Sequence, residues 1–188
     1  DGCEDCLNGS YDTANDGADA DGDGQCDLGD VDAPLHDGAN LISFYALPED
    51  NDYTVTNIFG GLGENALKIF GEGEIAYNYE GLWIGSLTDV SAESGYWLIV
   101  DQGESLQVQG LPTAPVSYDT HAGNNLLSYS YSSDQLLDEA LSGTDAETLT
   151  SAIYGEGEMA ATSSFDLIEG WAGSLTGFSG GKGYWFVA

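Results

Sequence analysis

The chain has 188 residues, of which 33 are Asp or Glu and only 2 are basic, for a formal charge of −31. With so little to neutralise phosphates, nucleic acid and anionic membrane surfaces are excluded as partners, and cations become the natural ligands. Hydrophobic residues make up 41% and aromatics 11%, well above a disordered acidic tail, so a packed core is expected. No apolar run approaches the roughly 18 to 20 residues that span a bilayer, so no membrane insertion is expected. The sequence opens on Asp1 without a basic and apolar leader, and reads as the mature form of an exported chain, extracellular or at the cell surface.

The first segment, residues 1–34, cannot fold on burial. Its sizeable apolar side chains are Leu7, Tyr11, Leu28 and Val31, while it carries all three cysteines and a dense run of aspartates. Metal and disulfide are the remaining ways to hold so small a unit. Asp19, Asp21, Asp23, Gly24, Gln25, Asp27 and Asp30 read DxDxDGxxDxxD, which fills each slot of a twelve-residue calcium loop. Asp19, Asp21 and Asp23 supply oxygens at positions 1, 3 and 5, and Gly24 makes the turn at 6. Gln25 offers its carbonyl at 7, Asp27 holds a water at 9, and Asp30 closes the loop at 12. A hard, oxygen-seeking cation relieves the repulsion among five neighbouring carboxylates, so Ca2+ is the expected cofactor. A second loop overlaps the first, with Asp12 and Asp16 as ligands, Gly17 at the turn and Asp23 closing. Ala14 spoils its third slot, leaving Asn15 and Asp19 as alternative ligands.

The stretch NDGADADGDGQCD, residues 15–27, resembles the thrombospondin type 3 repeats, aspartate-rich strings wrapped around calcium with interspersed cysteines. The resemblance covers about the first 32 residues and implies calcium as the structural core of an extracellular segment. Cys3 and Cys6 form a CxxC that departs from the family pattern. Three cysteines in an exported chain make one disulfide and one orphan, with Cys6–Cys26 and Cys3–Cys26 the open alternatives. Either closes a loop of about twenty residues and stabilises it by roughly 3 kcal/mol. Asn8-Gly9-Ser10 is a glycosylation sequon.

The remainder is an internal duplication. HDGANLISF at 36–44 recurs as HAGNNLLSY at 121–129, and IFGEGEIA at 69–76 as IYGEGEMA at 153–160. WIGSL at 83–87 recurs as WAGSL at 171–175, and GYW at 95–97 as GYW at 183–185. The fold class expected is therefore mainly β: two tandem small β domains, 35–110 and 111–188, each with one short helix, behind an irregular calcium-binding segment. NLISFYA, ALKIFGEG, LWIGSL and GYWLIV read as strands from their alternation and their aromatic and β-branched content, as do their counterparts. GYWLIVD, a QGE turn and SLQVQ read as a hairpin. SDQLLDEALS, 133–142, has helical spacing behind Ser132 or Ser133 as a cap, and 52–60 is its weaker counterpart.

A residue kept in both copies is explained by the fold before it is explained by one active site. GEGEIA follows a strand as a dinucleotide fingerprint would, but Glu72 and Glu74 would face a pyrophosphate and no helix pattern follows. It reads as a glycine-permitted bend, and Glu72/Glu74 with Glu156/Glu158 as a solvated or cation-binding edge. His36 and His121 read as turn residues making hydrogen bonds, with no nucleophile motif beside them. Tyr96 and Trp97 point to opposite faces of one strand, so one of each such pair is exposed, and the four tryptophans read first as core anchors. These readings leave no catalytic residue and a non-enzymatic secreted structural protein, a calcium-stabilised subunit of a fibre, stalk or surface assembly built head-to-tail from other copies of itself. The alternative is a carbohydrate-binding or adhesion module that holds surface glycans on exposed aromatic rows.

Overall fold

A computed structural model describes residues 30–162 and 170–188. The expected calcium ligands Asp12, Asp16, Asp19, Asp21, Asp23, Gln25 and Asp27, the three cysteines and Asn8 lie outside the described residues. Asp30 is the first residue of a strand.

The molecule is mainly β. In the first repeat, strands β1 (Asp30–Leu35), β2 (Gly38–Ile42) and β3 (Ala46–Leu47) lead to a short helix, α1 (Val55–Ile58), and a 3-10 turn, Gly60–Asn65. Then come β4 (Ala66–Phe70), β5 (Ile75–Tyr79), β6 (Leu82–Gly85), β7 (Tyr96–Val100), β8 (Glu104–Gln109) and β9 (Leu111–Pro112). The second repeat holds β10 (Asn124–Ser128), β11 (Gln135–Leu136), α2 (Leu137–Leu141), α3 (Asp145–Leu149), β12 (Ala152–Tyr154), β13 (Met159–Thr162), β14 (Trp171–Gly173), β15 (Gly177–Phe178) and β16 (Gly183–Val187).

Each repeat is built on a five-stranded antiparallel sheet, in the order β2-β7-β4-β5-β6 and β10-β16-β12-β13-β14. The registers agree as well: Leu41 faces Trp97 as Leu126 faces Trp185, and Phe70 faces Trp97 as Tyr154 faces Trp185. Tyr96 and Tyr184 turn inward and their hydroxyls accept the amides of Ser91 and Ser179, at 2.8 and 2.9 Å. Trp97 and Trp185 lie half-buried on the opposite face. Trp83 and Trp171 instead pack against the cores, Trp83 with its ring centroid 5.8 Å from that of Phe59.

Three sequence expectations change, the first being that the second repeat holds two short helices, α2 and α3, where one was expected. GYWLIVD and SLQVQ are joined by a turn but do not pair: β7 lies between β2 and β4, while β8 pairs antiparallel with β1 in a separate two-stranded sheet. The reason is burial. Val31, Ala33 and Leu35 alternate inward on β1 against Leu106 and Val108 on β8, and all five enter the first core. The 1–34 segment thus ends in a core strand rather than short of it. The helix expected over 133–142 begins only at Leu137 and has no side-chain cap, because Gln135 and Leu136 are drawn into the ladder with β15. Its counterpart α1 is capped, Thr54 accepting the Asn57 amide at 3.3 Å.

Candidate functional site

The two repeats meet through reciprocal contacts, the isologous pattern that a pseudo-two-fold arrangement requires. The Glu156 carboxylate accepts the Leu41 amide at 2.9 Å and pairs with His36; Glu72 accepts the Leu126 amide at 2.9 Å and pairs with His121 at 2.6 Å. The Ser43 amide donates to the Gly181 carbonyl at 2.9 Å, and the Ser128 amide to that of Glu93 at 3.0 Å. Where the repeats cross, glycine is required. A Cβ on Gly95 would lie 2.8 Å from the Leu127 carbonyl oxygen, and one on Gly183 2.7 Å from that of Ile42.

Sequence placed Glu72/Glu74 and Glu156/Glu158 together as a solvated or cation-binding edge. The structure separates each pair: Glu74 and Glu158 are exposed, whereas Glu72 and Glu156 are clamps between repeats. The histidines complete the clamp. His36 Nδ1 faces the Asp37 carbonyl at 2.8 Å and its Nε2 faces the Glu156 carboxylate; His121 faces the Ala122 carbonyl at 3.0 Å and Glu72 in the same way. Both partners of each ring accept only, so the imidazolium, with two N–H donors, is the form that satisfies them. Accordingly the His36 pKa is raised, first by Glu156 and then by the Asp37 carbonyl, and that of His121 first by the Ala122 carbonyl and then by Glu72. Burial pushes the Glu156 carboxyl up, but the Leu41 amide, His36 and the nearby Lys182 together hold it below its ordinary value. Buried Asn40 and Asn125 brace each histidine turn, each accepting the histidine amide at 2.8 Å and donating to the histidine carbonyl.

Two apolar surfaces stand out among the described residues. On the outer face of the first sheet, Tyr77 faces Ile84 and Tyr79 faces Leu82, with Tyr79 66% and Leu82 63% exposed. Phe70, Ile75 and Trp97 continue the same face inward. The second surface is a cavity of about 540 Å³ in the second repeat, with Leu127, Tyr129, Leu141, Phe178 and Phe186 in its walls and Leu149 among its lining residues. Burial raises the Tyr129 hydroxyl to about 12, and that hydroxyl donates to the Ser133 carbonyl at 2.8 Å. Sequence reasoning missed this cavity, because its walls come from residues far apart in the chain.

Among the described residues no group of three or more His, Cys, Asp or Glu is arranged to hold a metal ion, and no helix is long and apolar enough to cross a membrane. The chain matches no protein-family model, no curated protein and no solved structure.

Proposed function

We propose that the protein is a non-enzymatic, extracellular structural protein, stabilised by calcium in the segment closing at Asp30, that serves as a subunit of a head-to-tail assembly with other copies of itself. The observation that carries this reading is the reciprocal clamp between the repeats, in which Glu156 and Glu72 each accept an amide of the other repeat and pair with its histidine. The clamp makes the repeats one body able to carry load from end to end, as a subunit of a head-to-tail assembly must. The resemblance of residues 15–27 to thrombospondin type 3 repeats supports calcium as the element that stiffens the N-terminal side.

Negative-stain microscopy with sedimentation, in millimolar calcium and again after EDTA, tests the proposal. Filaments or large assemblies that loosen on chelation are expected. Monomers in both conditions refute it. A second reading, glycan binding, has one observation in its favour: Tyr77 and Tyr79 stand exposed on one face of the sheet, where sugar rings could stack on them. Trp97 continues that face inward and is half-buried, while Trp83 and Trp171 pack against the cores and Trp185 belongs to the other sheet, so the platform is short and this reading ranks second; a glycan screen with Tyr79→Ala as control separates the two.

A further inference from the structure

Each repeat has a core of its own, and among the described residues neither core takes a side chain from the other: the buried members of the first run from Val31 to Val108, those of the second from Tyr129 to Phe186. Leu41 and Leu126, 0% and 2% exposed, belong to neither core and fill the junction instead. A Cβ on Gly183 would lie 3.3 Å from a Leu41 methyl, and one on Gly95 2.9 Å from a Leu126 methyl, so a leucine of each repeat seats over a glycine of the other. The backbone is reciprocal too, Ile42 bridging Lys182 as Leu127 bridges Ser94. With the two carboxylate clamps, each repeat presents both halves of these contacts, which is the property of an isologous interface.

The connection between the repeats is lightly held by comparison. Thr113 is tied to the first repeat, its amide donating to the Tyr45 carbonyl at 2.8 Å, and Gly123 to the second, exchanging bonds with Ala188 at 2.8 and 2.9 Å. Between them, residues 114–120 lie in no strand or helix and make no backbone–backbone hydrogen bond among the described residues. One side-chain bond, from Tyr118 to Ser128 at 3.2 Å, fastens them. Extended, seven residues span about 25 Å. The junction can therefore part at this segment without opening either core, and none of its contacts depends on the two repeats belonging to one chain.

We propose that the junction is an exchange surface, on which the first repeat of one copy takes the second repeat of another copy in place of its own. Its chemistry names the partner. The first repeat needs a carboxylate for the Leu41 amide and His36, an apolar side chain for the seat over Gly95, and an amide with an imidazole for Glu72. A second copy of this chain brings all of them on Glu156, Leu126 and His121. Within one chain a short connection holds the repeats at an effective concentration of about millimolar, so exchange gains ground where copies are crowded to that level. A copy that opens offers one first repeat and one second repeat, and pairing with others either closes as a swapped dimer or runs on head to tail. The inference rests on the assembly reading only for the second of these outcomes.

Disulfide locking tests it in the full chain. Ser94 and Leu127 face each other in an antiparallel bridge, where Cα atoms lie about 4.5–5.5 Å apart, within the reach of a disulfide. A chain with Ser94→Cys and Leu127→Cys, oxidised while dilute, is expected to bond within itself, as read by peptide mass mapping that separates this bond from any at Cys3, Cys6 or Cys26. At about millimolar concentration the unmodified chain is expected to sediment as dimers and larger species and the locked chain as monomer, with reduction restoring association. A mixture of one chain carrying Ser94→Cys with another carrying Leu127→Cys is expected to form the 94–127 bond between chains, whereas the exposed Glu74→Cys in place of Ser94→Cys is expected to form none. Because Leu127→Cys could disturb folding, the sedimentation of the unmodified chain, which needs no variant, is the second measurement. An unmodified chain that stays monomeric, association that survives the lock, or a mixture without the interchain bond overturns the exchange surface. Calcium-dependent assemblies formed by the locked chain would remove the exchange surface and leave the assembly reading standing. Swapped dimers without filaments would keep the exchange surface and remove the assembly reading.

Discussion

Glu156→Ala is the sharpest probe of how the two repeats are held. The carboxylate is the acceptor for the Leu41 amide at 2.9 Å, and Leu41 itself has no exposed surface. Removing the carboxylate orphans that donor at the junction, a cost of about 1–3 kcal/mol. Only a quarter of the Glu156 side chain is exposed, so water does not fully replace it and a value near 2 kcal/mol is expected. Glu72 makes the equivalent bond to Leu126 from a more exposed position, 38%, so Glu72→Ala is expected to cost about 1 kcal/mol. The double variant tests whether the two clamps act together. If either alone keeps the repeats docked, its cost exceeds the sum of the singles, and unfolding separates into two transitions, one per core. Urea denaturation followed by tryptophan fluorescence and by far-UV circular dichroism measures both effects. Glu74→Ala, two residues from one clamp but exposed, serves as control and is expected within about 0.5 kcal/mol of the parent. Equal effects of Glu74→Ala and Glu156→Ala, or a Glu156→Ala variant indistinguishable from the parent, would refute the clamp.

The clamp is also predicted to have a pH window. The histidine pKa values are raised on folding from an ordinary 6.5, so their contribution is complete below that value and is lost as pH climbs through the folded values; Glu156 is lowered from 4.5, so its contribution is complete above 4.5 and is lost as pH falls through its folded value. Stability from this source is therefore greatest between about pH 4.5 and 6.5, and His36→Gln with His121→Gln is expected to remove the decline above that window, as read in denaturant melts across pH. At the crossing, Gly95→Ala forces a Cβ to 2.8 Å from a backbone oxygen and is expected to destabilise by about 1–3 kcal/mol, whereas Gly60→Ala, with nothing within 4 Å, is expected to stay within about 0.5 kcal/mol in the same melts. Leu106→Ala and Val108→Ala should each cost the first core about 2–4 kcal/mol and leave hydrogen exchange in the second repeat unchanged. Asp21→Asn with Asp23→Asn is expected to weaken calcium binding in isothermal titration and to abolish the EDTA sensitivity of any assembly; unaltered titration would remove 19–30 as the calcium site.

Much of the architecture was legible in the residues because it is written in local pattern and in repetition. The paired motifs around His36 and His121, Gly95 and Gly183 marked equivalent strands, and alternation in YWLIV and NLLS set their inward faces. The apolar spacing within 133–142 and its weaker counterpart at 52–60 were enough to place short helices, though the cap expected at Ser132 or Ser133 is not used and the one that forms is Thr54. What local pattern could not carry is choice of partner. β8 turns back from β7 as a hairpin strand would, yet pairs with β1 some seventy residues away, because Val31, Ala33 and Leu35 offer it a buried alternating face.

The charge, the aspartate loop, the duplication and the strand-forming segments were determined by the sequence alone, since each depends on residue type and spacing. Three things were decided only in the folded chain. Glu72 and Glu156 became clamps when folding brought them to an amide and an imidazole of the other repeat, 54 and 115 residues from the amides they accept. Gly95 and Gly183 became obligatory when two backbones crossed at one point. The cavity of the second repeat exists only once folding has brought together walls from residues far apart in the chain, Leu127 and Tyr129 with Leu141, Phe178 and Phe186.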